Sequence, residues 1–133
     1  MFLLDSNVCI AALNQSSASL IQRLREQPAT AIRLCSITKA ELLYGARHSA
    51  RVAENLRVLE RFFAPFVCLP FDDPCAEQCA LVREELARRG EQIGPNDLLI
   101  AAVARAHELT LVTHNLGEFS RVAGLRLADW EEE

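Results

Sequence analysis

Apolar and polar residues occur along the chain in blocks that predict strands alternating with helices. Short apolar runs predict strands at residues 2–4, 31–36, 66–69, 109–113 and 125–127. Apolar residues in helical spacing, bounded by capping and breaking residues, predict helices at residues 8–13, 18–27, 38–48, 53–63, 74–89 and 98–106. This alternation is typical of an α/β fold with a mainly parallel sheet of four to five strands, covered on both faces.

Several predicted helices start beside residues that favour helix caps. Asp5, Ser6 and Asn7 precede the first helix, and Asn96 and Asp97 precede the helix of residues 98–106. A Thr-x-x-Glu motif that ends at Glu41 matches a capping box, in which the glutamate bonds back to the backbone of the cap. These acidic residues therefore have a purely structural interpretation as well as a chemical one.

Length and composition predict one domain, residues 1–133, that is soluble and cytoplasmic. Half of the residues are hydrophobic, which is enough for one sizeable core. The first residues lack the basic flank of a signal peptide, and no apolar run approaches the roughly 20 residues of a membrane span, so no membrane contact is expected. A net charge of −4 argues against nucleic-acid binding by bulk electrostatics.

The five cysteines predict buried, reduced thiols of a cytoplasmic protein. They form no C-x-x-C pair, and no histidine is spaced as a zinc partner. Cys75 and Cys79 lie one helical turn apart, which is the only suggestive spacing among them.

Polar side chains cluster just after the predicted strands, where open α/β sheets bind their ligands. Asp97 does not follow a strand but opens the helix that leads into the fourth strand. The residues at these junctions are Asp5, Ser36, Glu41, Thr113, Asn115 and Glu118. We expect the acidic members of this set to meet at one mouth of the sheet.

Carboxylates gathered in this way repel each other, and a hard divalent cation is the simplest way to stabilise them. Mg²⁺ takes a few carboxylates, keeps several waters and binds phosphate oxygens, so such a site can hydrolyse a phosphodiester. Because capping residues and active-site residues occupy the same junctions in this architecture, the residues alone leave both interpretations open.

Four segments of the chain, taken in order, resemble PIN-domain toxins. They are L-L-D-S-N-V-C-I at 3–10, S-I-T-K-A-E-L-L-Y-G-A at 36–46, G-P-N-D-L-L-I-A-A at 94–102 and L-V-T-H-N-L-G-E-F-S-R-V at 111–122. The similarity extends over essentially the whole chain and is greatest to the VapC toxins of VapBC toxin–antitoxin pairs. It implies a PIN-like α/β/α sandwich and a magnesium- or manganese-dependent endoribonuclease.

The resemblance also implies which residues act. The three acidic positions of the family match Asp5, Glu41 and Asp97, with Asp5 and Asp97 as direct metal ligands. Asn7 and Ser36 match small polar residues that orient these ligands, with Thr113 and Asn115 beside them. Many PIN domains carry aspartate at the position of Asn115, so we expect Glu118 to supply the fourth carboxylate, with Asn115 as the alternative.

The family further implies partners and a biological role. VapC-like toxins form homodimers and bind a VapB-type antitoxin, sometimes in larger assemblies, and the antitoxin covers the acidic mouth. The expected activity is cleavage of RNA, with initiator transfer RNA as the favoured substrate, and inhibition of translation until the antitoxin neutralises the toxin.

Three other interpretations are weaker. Phosphatases with an aspartate nucleophile carry a D-x-D motif after the first strand. Here Asn7 stands in place of the second aspartate of that motif. A receiver-type domain has a lysine near its site, after the last strands. The only lysine here, Lys39, lies after the second predicted strand instead. A catalytically silent PIN fold that binds RNA or protein is the remaining alternative, and intact Asp5, Glu41 and Asp97 argue against it.

Overall fold

The computed structural model describes residues 1–132, so the last residue of the predicted 1–133 domain, Glu133, lies outside it. Within this part the strands are β1 (Phe2–Leu4), β2 (Ile32–Cys35), β3 (Val67–Leu69), β4 (Thr110–Val112) and β5 (Leu127–Ala128). The helices are α1 (Ser6–Asn14), α2 (Ala18–Glu26), α3 (Ser36–Arg47), α4 (Val52–Phe63), α5 (Asp73–Arg89), α6 (Pro95–Ala106) and α7 (Leu116–Phe119).

The five strands form one sheet in the order β3-β2-β1-β4-β5, and every neighbouring pair is parallel. In the central strand, Leu3 pairs with Arg33 on one side and with Leu111 on the other. This arrangement confirms the predicted α/β class and the parallel sheet of four to five strands. Because all strands point the same way, the residues that follow them lie along one edge.

Successive residues of the sheet pack into two different cores, which makes the molecule an α/β/α sandwich. Leu3 and Leu111 belong to a core formed with α5, α6 and α7. Their neighbours Leu4 and Val112 belong to a second core, formed with α1, α2, α3 and α4. The alternation follows from the two-residue period of a strand, whose side chains point to opposite faces.

Three helices begin earlier than the sequence predicts, and each shift changes the role of a site residue. Helix α1 begins at Ser6 with Asp5 as its cap, so Ser6 and Asn7 are not the caps. Helix α3 begins at Ser36, which places Thr38 inside its first turn and makes the predicted capping box wrong. Helix α6 begins at Pro95 after Gly94, so Asp97 lies in the first turn and does not cap the helix.

Two further differences lie near the C-terminal end of the described chain. The short helix α7 was not predicted, and β5 lies at Leu127–Ala128 instead of residues 125–127. No helix found within residues 1–132 has both the length and the apolar character that crossing a membrane requires.

Candidate active site

Asp5 is a buried carboxylate at the end of β1, with only 3% of its surface exposed. One oxygen accepts the Val8 backbone N–H at 2.8 Å and thereby caps α1, and the other accepts the Thr113 hydroxyl at 2.6 Å. Burial raises the pKa of Asp5, as do the negative charges of Glu131 and Glu41, while the two hydrogen bonds oppose the rise. The cap and ligand interpretations are thus compatible, because each oxygen keeps a free lone pair.

Glu41 is held from the first turn of α1 and not by its own helix. Ser6 donates a hydrogen bond from its hydroxyl to Glu41 Oε1 at 2.7 Å, and Thr38 Oγ1 lies 3.2 Å from the same hydroxyl. The Ser6 hydroxyl therefore connects α1 to α3 beside Asp5. This role of Ser6 was not predicted, because nothing in the local sequence pattern indicates a contact across 35 positions.

Asp97 lies in the first turn of α6, where the partial positive charge of the helix end favours an anion. The pKa of this carboxyl is nevertheless raised from 3.8 to about 7. Burial is the largest cause, followed by the hydrogen bond and the charge of Glu118 and then by the charges of Asp5 and Glu41. The helix end does not compensate the negative charge that surrounds Asp97.

Glu118, in α7, faces Asp97 across the turn that precedes α6. Its carboxylate accepts the Gly94 backbone N–H, and Asn115 donates to Oε2 at 2.7 Å. These donors lower the pKa of Glu118, whereas the pKa of Asp97 is raised, so Asp97 is the more readily protonated of the two facing acids. A Cβ added at Gly94 would lie 3.5 Å from Glu118 Oε1 and 3.6 Å from Asp97 Oδ2, which shows how closely both acids approach this glycine.

The predicted supporting residues divide into two groups. Thr113 is fully buried and accepts the Asn115 N–H at 3.0 Å while it donates to Asp5, and Asn115 also caps α7. Ser36 instead donates to the Leu69 carbonyl at 3.4 Å, and Asn7 is exposed on α1. The structure therefore brings Thr113 and Asn115 against the acids, whereas the Ser36 hydroxyl bonds to the end of β3.

The donor set fits a hard divalent cation. All four side chains are carboxylates, the ligand type that Mg²⁺ and Mn²⁺ prefer. Within residues 1–132, none of the ion pairs formed by Lys, Arg or His involves Asp5, Glu41, Asp97 or Glu118. A cation would supply the missing positive charge and would remove the need for a proton on Asp97.

An apolar groove between α1, α3 and α4 begins beside the acids. It has a volume of about 340 Å³ and includes Glu41 in its lining. Ile10 and Val58, which also line it, are 42% and 38% exposed. We call this feature the α1–α3–α4 groove.

Comparison with known proteins gives one consistent family. The PIN domain matches residues 2–125. The tRNA(fMet)-specific endonuclease VapC of Shigella flexneri is 40% identical over 131 residues, which cover 97% of each chain.

Solved structures agree with this relationship. A chain in the crystal structure of DNA-bound VapBC from Salmonella typhimurium superposes with a TM-score of 0.92 at 37% identity, over 97% of both chains. A chain of VapBC-5 of Mycobacterium tuberculosis, from the VapBC family of toxin–antitoxin systems, superposes with a TM-score of 0.70 at 31% identity, over 95% of this chain and 94% of that one. This protein belongs to the PIN-domain family and, within it, to the VapC group.

Proposed function

We propose that this protein is the toxin of a VapBC-type type II toxin–antitoxin pair and acts as a magnesium-dependent endoribonuclease. The observation that carries the proposal is the meeting of four carboxylates, Asp5, Glu41, Asp97 and Glu118. Within residues 1–132 none of them forms an ion pair with Lys, Arg or His, although the charge of Arg121 contributes to the lowered pKa of Glu118. The names of its VapC relatives support RNA as the substrate.

Asp5 and Asp97 are the proposed direct ligands of Mg²⁺, for which Mn²⁺ can substitute. When bound, the ion polarises a phosphodiester and lowers the pKa of a coordinated water. Val8 and Thr113 fix the orientation of Asp5, so this ligand needs no rearrangement. Asp97 must release its proton before it can bind the ion, because its pKa is about 7.

Glu41 and Glu118 are the proposed positioning carboxylates. Ser6 fixes Glu41 near the ion, where it can orient a water for in-line attack on the phosphorus. Glu118 is preferred to Asn115 as the fourth acidic residue, because both polar atoms of the Asn115 amide already bond to Glu118. Asn115 then acts on the site by orienting Glu118.

The proposed substrate is initiator transfer RNA, as the name of the Shigella relative indicates for that protein. Cleavage of this RNA would inhibit translation and would place the activity in the cytoplasm. The proposed protein partners are a second copy of the chain and a VapB-type antitoxin. The α1–α3–α4 groove suits an amphipathic antitoxin segment whose basic side chain reaches Glu41 at the edge of the groove.

The test is incubation of the purified protein with initiator transfer RNA and an elongator transfer RNA, with Mg²⁺ or with a chelator. Asp5→Asn and Asp97→Asn are compared with Glu84→Gln, which changes an exposed acid on α5. We expect cleavage by the unmodified protein and the control in Mg²⁺ only. Cleavage that persists in chelator or in both aspartate variants would reject the mechanism, and failure to cut either RNA would reject the proposed substrate class.

A further inference from the structure

A second group of metal-ligating side chains lies where the start of α5 meets the end of α6. Asp72 caps α5, Cys75 lies in the first turn of that helix, and His107 follows the last residue of α6. One ligand atom from each of the three lies within 4.8 Å of the others. None of these residues belongs to the four carboxylates described above.

Local structure fixes two of these side chains before any ion is considered. Asp72 Oδ1 accepts the Cys75 backbone N–H at 3.3 Å, and Pro74 restricts the backbone between them. The third side chain arrives through tertiary packing, because α5 and α6 pack in one core, to which Cys75 belongs. No zinc partner of the cysteines was predicted, because His107 is distant from Cys75 along the chain and near it only in the fold.

We propose that Asp72, Cys75 and His107 form a zinc site, with water in the fourth position. A thiolate, an imidazole and a carboxylate are the three ligand types that Zn²⁺ combines in proteins. The same set does not suit Mg²⁺, which prefers oxygen ligands throughout. The site is therefore chemically distinct from the all-carboxylate active site.

The distances permit this coordination with small movements. In a tetrahedral zinc site, ligand atoms lie roughly 3.3–3.6 Å apart, as follows from metal–ligand distances of about 2.0–2.3 Å. The observed limit of 4.8 Å therefore requires a closure of about 1.5 Å or less. Asp72 and His107 are exposed and can make this movement, while Cys75 is fully buried and stays in place.

The protonation states are consistent with uptake of a metal from solution. Donors from Cys75 lower the pKa of Asp72, so this carboxylate is ionised and ready to bind. Burial raises the pKa of the Cys75 thiol, so the sulfur keeps its proton until a metal displaces it. Zinc binding should therefore release a proton and weaken on acidification.

A zinc ion here would join the first turn of α5 to the end of α6. Its expected effect is on stability, because a ligand that binds only the folded state raises the melting temperature. Asp97 lies at the opposite end of α6, so the zinc site contacts no reacting group.

Cobalt(II) gives the most selective test, because a cobalt–thiolate bond absorbs in the near ultraviolet and carboxylate sites do not. The full chain, kept reduced, is titrated with Co²⁺ and then with Zn²⁺. The variants are Cys75→Ser and His107→Gln, and Cys79→Ser is the matched control one turn further along α5. Thermal melting verifies that each variant is folded, and the exposed His107 gives a variant that does not disturb the core.

We expect a thiolate–cobalt band that saturates at one Co²⁺ per chain and disappears when one equivalent of Zn²⁺ displaces the Co²⁺. The band should be unchanged in Cys79→Ser. Cys75→Ser should lose the band. His107→Gln should weaken binding at least about tenfold, because loss of even an outer-shell partner typically weakens metal binding by about 10- to 100-fold. Absence of the band in the unmodified protein, or its retention in Cys75→Ser, would overturn the proposal.

Discussion

The two halves of the acidic mouth, Asp5 with Glu41 and Asp97 with Glu118, differ in how the protein stabilises their negative charge. Asp5 and Glu41 each accept a short hydrogen bond from a hydroxyl group, provided by Thr113 and by Ser6. Asp97 instead faces Glu118, and the pKa of Asp97 rises to about 7. The first half is therefore oriented by hydroxyl donors of the protein, whereas the second half retains part of a proton at neutral pH that a bound cation would displace.

This difference predicts that replacement of Asp97 abolishes most of the activity without lowering the stability of the metal-free protein. Asp97→Asn should reduce RNA cleavage on the order of 10³-fold, because a direct ligand is lost. It should leave the metal-free melting temperature unchanged or raise it, because repulsion with Glu118 disappears. Cleavage assays and thermal melting in chelator measure the two effects, and a large fall in melting temperature would contradict this explanation.

The fourth acidic position gives the next largest effect. Glu118→Gln should lower cleavage on the order of 10²-fold and raise the Mg²⁺ concentration needed for half-maximal rate. Asn115→Ala should have a smaller effect of the same kind, because it removes one donor to Glu118 and leaves the carboxylate. The comparison is made by titrating Mg²⁺ in the cleavage assay. An equal or larger loss in Asn115→Ala would make Asn115 the more important residue.

Removal of the hydroxyl group that bonds to Asp5 should have a moderate effect on the stability of the protein. Thr113→Val deletes a buried donor to Asp5 at nearly constant volume and should lower the free energy of unfolding by about 1.5–3 kcal/mol. Denaturant unfolding checks this value. Ser19→Ala is the control, since that hydroxyl bonds only to the exposed backbone carbonyl of Glu132. A loss no greater than the control's would show that the hydroxyl does not stabilise Asp5.

The smallest expected effect is a pH dependence of the metal-free protein, because Asp97 is only partly buried and solvent screens its charge. The pKa of Asp97 is about 7 in the folded protein and 3.8 in the unfolded chain. The folded protein therefore binds more protons than the unfolded chain between pH 3.8 and pH 7. Stability should therefore be greatest below pH 4 as far as this group is concerned, and should be lost as the pH rises through 7. Melting temperatures in chelator should show a decline that is weaker in Asp97→Asn, and an equal decline in both proteins would exclude Asp97 as its source.

The sequence predicted the features that depend on local chemistry. Gly90 ends α5 as predicted and has the left-handed φ of 65° that favours glycine after a helix. The start of α5 is displaced by one residue, because the helix begins at Asp73 with Asp72 as its cap, before the predicted first residue Pro74. The strand ends predicted the edge at which the acids meet, and Asp5 lies there as expected.

Features that depend on packing were missed or misplaced. Helix α7 has four residues and contains Gly117, so its pattern is too short to be recognised. Glu41 was interpreted as a member of a capping box because its true partner, Ser6, belongs to another helix. The pairing of Asp97 with Glu118 and that of Cys75 with His107 likewise exist only after the helices have packed.

The most direct test of the central claim is calorimetric titration of Mn²⁺ into the chelator-treated protein at pH 7, in two buffers that differ in ionisation enthalpy. If a cation completes the ionisation of the Asp97–Glu118 half, binding should release about half a proton per ion, because the pKa of Asp97 is about 7. Asp97→Asn should bind more weakly and release none from this position. Binding without proton release, or no binding at all, would contradict the account.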